Sequence, residues 1–168
     1  DIYLSEQSLL ELLKDSDYDI EGFLIDPTED SPSDFLGLKV YDFKDCENVF
    51  DIGDFDIFVA ISSVKLNRDR LKIFNMVKSK GYKMASYVSS KCFKWDDVEI
   101  GENCFILEGN VLQSQVSIKD NVFLWSGNHI GHGSVISENC FISSHVVVSG
   151  SCTVGKNCFI GVNSSIAD

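Results

Sequence analysis

Residues 118–142 read IKDNVFLWSGNHIGHGSVISENCFI, and within that run Ile118, Leu124, Ile130, Ile136 and Ile142 stand six apart. Followed outward, the series takes in Ile100, Ile106 and Leu112 before it and Val148, Val154, Ile160 and Ile166 after it, without an exception. A second period of 18 lies on the first: Asn103, Asn121, Asn139 and Asn157 recur, and so do Phe105, Phe123, Phe141 and Phe159. Six residues per side and 18 per turn describe a triangular coil with one short strand on each side, a parallel β-helix of hexapeptide repeats. Every sixth aliphatic points inward, and residues 18 apart stack about 4.8 Å from one another, the ordinary spacing of neighbouring strands. The Phe and aliphatic series therefore form columns along the coil axis. The Asn series marks a corner, because Asn tolerates left-handed backbone and can bond its own turn. Cys104, Cys140, Cys152 and Cys158 share the fifth place of the hexapeptide and read as core fillers. No proline follows Pro32, as an uninterrupted backbone ladder requires.

Composition bounds the rest. A chain of 168 residues with 44% hydrophobic content has room for one or two small cores. No apolar run approaches the roughly 18 residues of a membrane span, and no signal peptide opens the sequence. The net charge of −12 argues against nucleic acid or an anionic membrane as partner. Six cysteines without a secretion signal read as reduced thiols of a cytoplasmic protein rather than a disulfide framework.

Ahead of the coil the period of six disappears. Residues 1–92 read as an α/β domain and 93–168 as the coil. Leu4 to Leu13 has leucines at helical spacing, Tyr18 to Ile25 reads as a strand ending in Asp26-Pro27, and Leu38 to Tyr41 as a short strand. Asp56 to Ile61 reads as a buried strand, Asn67 to Lys80 as an amphipathic helix stopped by Gly81, and Tyr82 to Val88 as a strand leading into the coil. Alternating strands and helices predict a small parallel, Rossmann-like sheet. Such a unit normally opens with a strand and a glycine-rich turn, whereas this chain opens almost inside its first helix. The coil likewise stops at Asp168 without a capping segment. Both features predict a portion of a longer protein.

The chain's three histidines, His129, His132 and His145, all fall in the middle rungs. His132 is third in its hexapeptide, so its side chain points outward near a corner, and the residue one rung on is Gly150. An exposed imidazole beside a glycine N–H is what acyl transfer needs: a base for the attacking amine or hydroxyl, and a donor for the tetrahedral oxyanion. His145 lies at the next corner zone with Gly127 one rung before it. Plainer readings exist for each, a solvated surface histidine or a glycine that serves a turn. Three histidines also match the ligand count of zinc, but spacings of 3 and 13 do not reproduce the arrangement of zinc-binding hexapeptide coils, and no metal site is predicted.

The run Gly-Asn-His-Ile-Gly-His-Gly-Ser-Val-Ile-Ser-Glu-Asn-Cys-Phe-Ile-Ser-Ser-His-Val-Val-Val-Ser-Gly (127–150) resembles bacterial sugar acyltransferases of the sialic-acid O-acetyltransferase type. That group includes N-acetyltransferases of nucleotide-linked 4-amino-4,6-dideoxy sugars. Val154 to Ile166 is also similar. So, in the front domain, are Glu21 to Asp26, Val59 to Ser63 with Arg68, and Lys80 to Lys83, so that the resemblance covers nearly the whole chain.

The resemblance implies a homotrimer of left-handed β-helices with active sites in clefts between subunits, acetyl-CoA as donor, and a role in surface polysaccharide or glycan biosynthesis. His132 would be the general base and Gly150 the oxyanion donor. The front domain would hold the nucleotide of the acceptor, with Asp26 at a strand end and Ser62 and Ser63 near the switch point. Asn128, His129 and His145 are further candidates for substrate contact. In plainer terms Asp26 starts a turn and Ser62-Ser63 caps the following helix. The chain departs from the family pattern in three ways. Gly133 stands where some members place an acidic residue to orient the catalytic imidazole, leaving Asn128, a backbone carbonyl or a neighbouring subunit to hold the ring. The first strand with its glycine-rich loop is missing, as are the later rungs that complete the acetyl-CoA groove. O-acetylation of sialic acid or another sugar hydroxyl, or a non-catalytic trimeric scaffold, are the alternatives.

Overall fold

The computed structural model describes residues 14–61 and 66–168. The helix expected at 4–13 and the pair Ser62-Ser63 lie outside the described residues.

The period of six is realised as strands two residues long that stack into three parallel sheets, one per side of a triangle. The phenylalanine face stacks Tyr87–Val88, Phe105–Ile106, Phe123–Leu124, Phe141–Ile142 and Phe159–Ile160. The histidine face stacks Phe93–Lys94, Val111–Leu112, His129–Ile130, Val147–Val148 and Ser165–Ile166. The third stacks Glu99–Ile100, Ser117–Ile118, Val135–Ile136 and Thr153–Val154. The register is 18 throughout, so Phe123 pairs with Phe141 and His129 with Val147. Ile106, Leu112, Ile118, Leu124, Ile130, Ile136 and Ile142 are buried inside the triangle with at most 1% of their surface exposed. Each such side chain contributes on the order of 1.5–3 kcal/mol by leaving water. Cys104, Cys140 and Cys152 are buried in the same core, and all six cysteines are free.

The coil begins earlier than the boundary expected at residue 93. Tyr87 takes the place that Phe fills in later rungs, and the Tyr87–Val88 strand pairs with Phe105–Ile106. The phenylalanines stand on the outside of the coil, since successive residues of a strand point to opposite sides. Phe105, Phe123 and Phe141 are nevertheless buried, in a cluster against which front-domain side chains including Phe23, Phe35 and Phe58 pack, whereas Phe159 in the last rung is 47% exposed. Their rings stack 4.9–5.1 Å apart along the column from Phe105 to Phe159.

The Asn corner departs from expectation in its bonding. Asn103, Asn121, Asn139 and Asn157 do adopt left-handed backbone, with φ between 54° and 61°. Their carboxamides bond each other rather than their own turns: the Nδ2 of Asn103, Asn121 and Asn139 each donates to the Oδ1 one rung on, at 2.8 Å. The first member, Asn103, takes a 2.8 Å bond from the Val59 N–H of the front domain.

In the front domain the helix Arg68–Ser79 buries Phe74 and Val77 and is closed by Gly81 at φ 94°. The single parallel sheet is divided in two among the described residues. Phe23–Ile25 pairs parallel with Leu38–Asp42, which pairs antiparallel with Asp34–Phe35; separately, Asp56–Ile57 pairs parallel with Lys83–Met84. The strands are shorter than the apolar runs that announced them, and the run 82–88 is divided between the front domain and the coil. Arg70 joins the two parts. Its guanidinium, fully buried, donates to the carbonyls of Val59, Ile61 (3.1 Å) and Asn103 (2.6 Å), and lies over the rings of Phe58 and Phe123 at 5.5 and 5.8 Å. Burial pulls its pKa down to about 10, which leaves it charged at neutral pH.

Candidate functional site

The corner between the histidine face and the third face carries His132, and 18 residues on, Gly150. His132 is exposed, and its ring lies directly against Gly150. A Cβ built on Gly150 would stand 2.5 Å from His132 Nε2 and 2.7 Å from Cε1. No residue other than glycine fits beneath the imidazole as it stands. The hydrogen bonds of the described residues give the Gly150 N–H no acceptor.

The backbone around the ring is held on both sides. The His132 N–H donates to the side-chain Oε1 of Gln113 at 2.9 Å, and the His132 carbonyl accepts from the Ser151 N–H at 2.7 Å. The Gly133 N–H donates to the Ser114 carbonyl at 3.0 Å. Gly133 occupies the left-handed place of this corner, φ 65°, which Gln115 (61°) and Ser151 (57°) occupy in the adjacent rungs. Glycine takes that conformation without strain, which accounts physically for a glycine after the histidine.

His145 sits at the other end of the same face, at the corner shared with the phenylalanine face. It is exposed, has φ 58°, and packs its ring on Gly127, where a Cβ would meet Cε1 and Nδ1 at 2.7 Å. Both histidine rings therefore lie on a glycine one rung away, His132 toward the later rung and His145 toward the earlier one. His129 lies between these corners on the flat of the face, half-buried, flanked by Val111 and Val147. Asn128 is fully buried. Its Oδ1 accepts from the Val146 N–H at 2.8 Å and its Nδ2 donates to the Trp125 carbonyl, so its carboxamide serves the coil rather than the His132 ring.

Asp26 is exposed in the front domain, 3.8 Å from Lys44, on the margin of a cavity of about 900 Å³ lined by residues 18–26 and 54–61. The structure thus gathers His132 and Gly150 at one corner, His129 and His145 on the same face, and Asp26 in the other domain. The coil lysines Lys119 and Lys156 belong to the Asn corner, near Glu99 (3.9 Å) and Glu138 (3.2 Å). Among the described residues no group of three His, Cys, Asp or Glu side chains could hold a metal ion, and no helix is long and apolar enough to cross a membrane. Burial pushes the thiols of Cys92, Cys104 and Cys140 up to about 11, so they are protonated at neutral pH.

Sequence reasoning missed Gln113 and Arg70. Arg70 carried a signal, since it stands four and seven residues before Phe74 and Val77, on the buried side of its helix. Gln113 carried a weaker one: it precedes His132 by one rung and one residue, a relation visible only once the corner geometry is known.

Within the coil, residues 133–168 match the family described as bacterial transferase hexapeptide (six repeats). Among solved structures the chain is similar to GDP-perosamine N-acetyl transferase from Caulobacter crescentus, seen as a histidine-to-alanine mutant in complex with CoA and GDP-perosamine. The identity there is 17%, over 79% of this chain and 70% of that one, with a TM-score of 0.63. It is also similar to WeeI from Acinetobacter baumannii AYE, with 15% identity over 95% of this chain and 94% of that one, and a TM-score of 0.52. At these identities the shared property is the fold. No curated protein matches the chain in sequence.

Proposed function

We propose that this chain is an acetyl-CoA-dependent acetyltransferase acting on the amino group of a nucleotide-activated sugar of the 4-amino-4,6-dideoxy type, in the making of a surface polysaccharide or glycan. The observation that carries the reading is the His132 ring lying on Gly150, whose N–H has no acceptor among the described residues. In the reaction the acceptor nitrogen attacks the thioester carbonyl and forms the C–N bond. His132 takes the proton that the nitrogen loses, and the Gly150 N–H donates to the oxyanion of the tetrahedral intermediate. Collapse breaks the C–S bond, and the proton passes from His132 to the departing CoA sulfur. Neither a metal nor a covalent enzyme intermediate enters. The bond from the His132 N–H to Gln113 and the bond from the Ser151 N–H fix the backbone that presents the ring.

The working form is a homotrimer of left-handed coils with the site in a cleft between copies. Phe93 and Val147 support this: they stand outward on the histidine face, 58% and 44% exposed, beside the His132 corner. His129 and His145, on the same face, would meet the ligand or the neighbouring copy, while Asp26, Ser62 and Ser63 would serve the nucleotide.

Release of CoA thiol from acetyl-CoA in the presence of UDP- and dTDP-linked 4-amino sugars tests the reading, with His132→Ala alongside. Turnover that the substitution abolishes supports it. Turnover only with a sugar hydroxyl acceptor such as sialic acid would replace N- by O-acetylation, and no turnover with any acceptor would leave the coil a scaffold.

A further inference from the structure

The rings of His132 and His145 stand at one height on the coil. Gly127 and His132 belong to one turn and His145 and Gly150 to the next, in the register that pairs His129 with Val147. The His132 ring leans toward the later turn, onto Gly150, and the His145 ring leans toward the earlier one, onto Gly127. Both imidazoles therefore fill the step between the same two turns, at opposite edges of the histidine face. Within one copy the width of that face separates them, on the order of 15 Å for the five residues from 127 to 132. At that span the two rings cannot serve one reacting group.

His145 is exposed, and its backbone is left-handed at φ 58°. Gly109 and Gly127 in the earlier turns and Asn163 in the following one hold the same place, and glycine and asparagine are the residues that suit it. Strain of this kind is kept where the side chain has a use.

The use of His145 follows from symmetry, and it rests on the proposed transferase and its trimer. A threefold axis along the coils keeps the height of every residue. It also sets one edge of an inward face against the opposite edge of that face on the next copy. With the histidine face inward, Phe93 and Val147 between its edges are the exposed apolar surface that such packing covers. The His132 corner of one copy then meets the His145 corner of its neighbour, and the two rings look at each other across the cleft at equal height. We infer that each active site is shared: His132 and Gly150 of one copy carry out the transfer, and the partner's His145 holds the acceptor sugar from the opposite wall by hydrogen bonds to its hydroxyls.

His145→Gly tests this, since glycine fills the same place in the two preceding turns. It should raise KM for the acceptor about tenfold or more and leave kcat nearly unchanged. Coexpressed in equal amounts with His132→Ala, it should form mixed trimers that turn over at about a quarter of the wild-type rate at low acceptor, because about a quarter of their sites join an intact His132 to an intact His145 of the partner subunit. His145→Asn, which copies Asn163 of the following turn, repeats the test with a residue the corner already accepts. Mixed trimers no more active than the mean of the two parents would put both histidines in the site of one copy and overturn the inference. An unchanged acceptor KM in both His145 variants would do the same. Absence of turnover by the unsubstituted chain with any acceptor would instead remove the transferase reading, and the shared site with it.

Discussion

On the phenylalanine face Phe123 stands outward from the coil and is fully buried; on the histidine face Phe93 stands at the equivalent place and is 58% exposed. The strands are of one kind, two residues long, parallel and 18 residues apart in register. What differs is the neighbour. The front domain lies on the first face and covers its rungs as far as Phe141 with aromatic side chains and the Arg70 guanidinium, whereas the second keeps its histidines within reach of solvent. A repeat therefore specifies which side chains leave the coil, and only the rest of the chain specifies whether they become core or site.

That division of labour is open to test. The largest effect belongs to the histidine face: His132→Ala should lower kcat by about 10³-fold while leaving the melting temperature within error, because the ring is exposed and supports nothing above it. Thiol release and calorimetry on one preparation would check both halves. On the phenylalanine face the pattern should reverse. Phe123→Ala empties the middle of the aromatic column and should cost about 3–5 kcal/mol in denaturant unfolding.

At the Asn corner, Asn121→Ala removes two ladder bonds and leaves the Asn103 Nδ2 without its acceptor and the Asn139 Oδ1 without its donor. A loss of about 1–3 kcal/mol is expected, measured in the same way. Val147→Lys, on the exposed face, should change the stability of a single subunit by no more than about 0.5 kcal/mol. Sedimentation should nonetheless show a smaller species if that face joins copies.

The smallest effect concerns acid. The Asp15 carboxyl is held below the usual carboxylate range by the Ser90 hydroxyl, the Ser90 N–H and the Tyr87 hydroxyl, which all donate to it. Its contribution is present above the unfolded pKa near 4 and is lost as pH falls through the depressed folded value. Asp15→Asn should flatten the fall in stability below about pH 4 and lower stability at neutral pH by the same small amount, small because solvent screens so superficial a group.

The coil was legible because its information is periodic: the aliphatic series gave the interior, the Asn series a corner, and the interval of 18 brought Gly150 to His132. The front domain was legible only as a series of elements. Nothing in Phe23–Ile25 or Asp56–Ile57 says which strand each will pair with, because those pairings occur once and depend on long-range closure. The burial of the phenylalanines was hidden for a related reason, since it is decided by Phe23, Phe35 and Phe58, which follow no period. Gln113 escaped because a side-chain cap depends on a rotamer rather than on spacing.

The left-handed corner residues and the constant register have a consequence for how such a gene can change length. Loss or gain of a single residue would turn every later aliphatic out of the interior. A change of six would restore the interior yet rotate all that follows by one side of the triangle, moving His132 off the face it shares with His129 and Val147. Eighteen is the smallest change that preserves both the core and the direction in which the histidine looks, so this molecule can lengthen or shorten its coil only by whole turns.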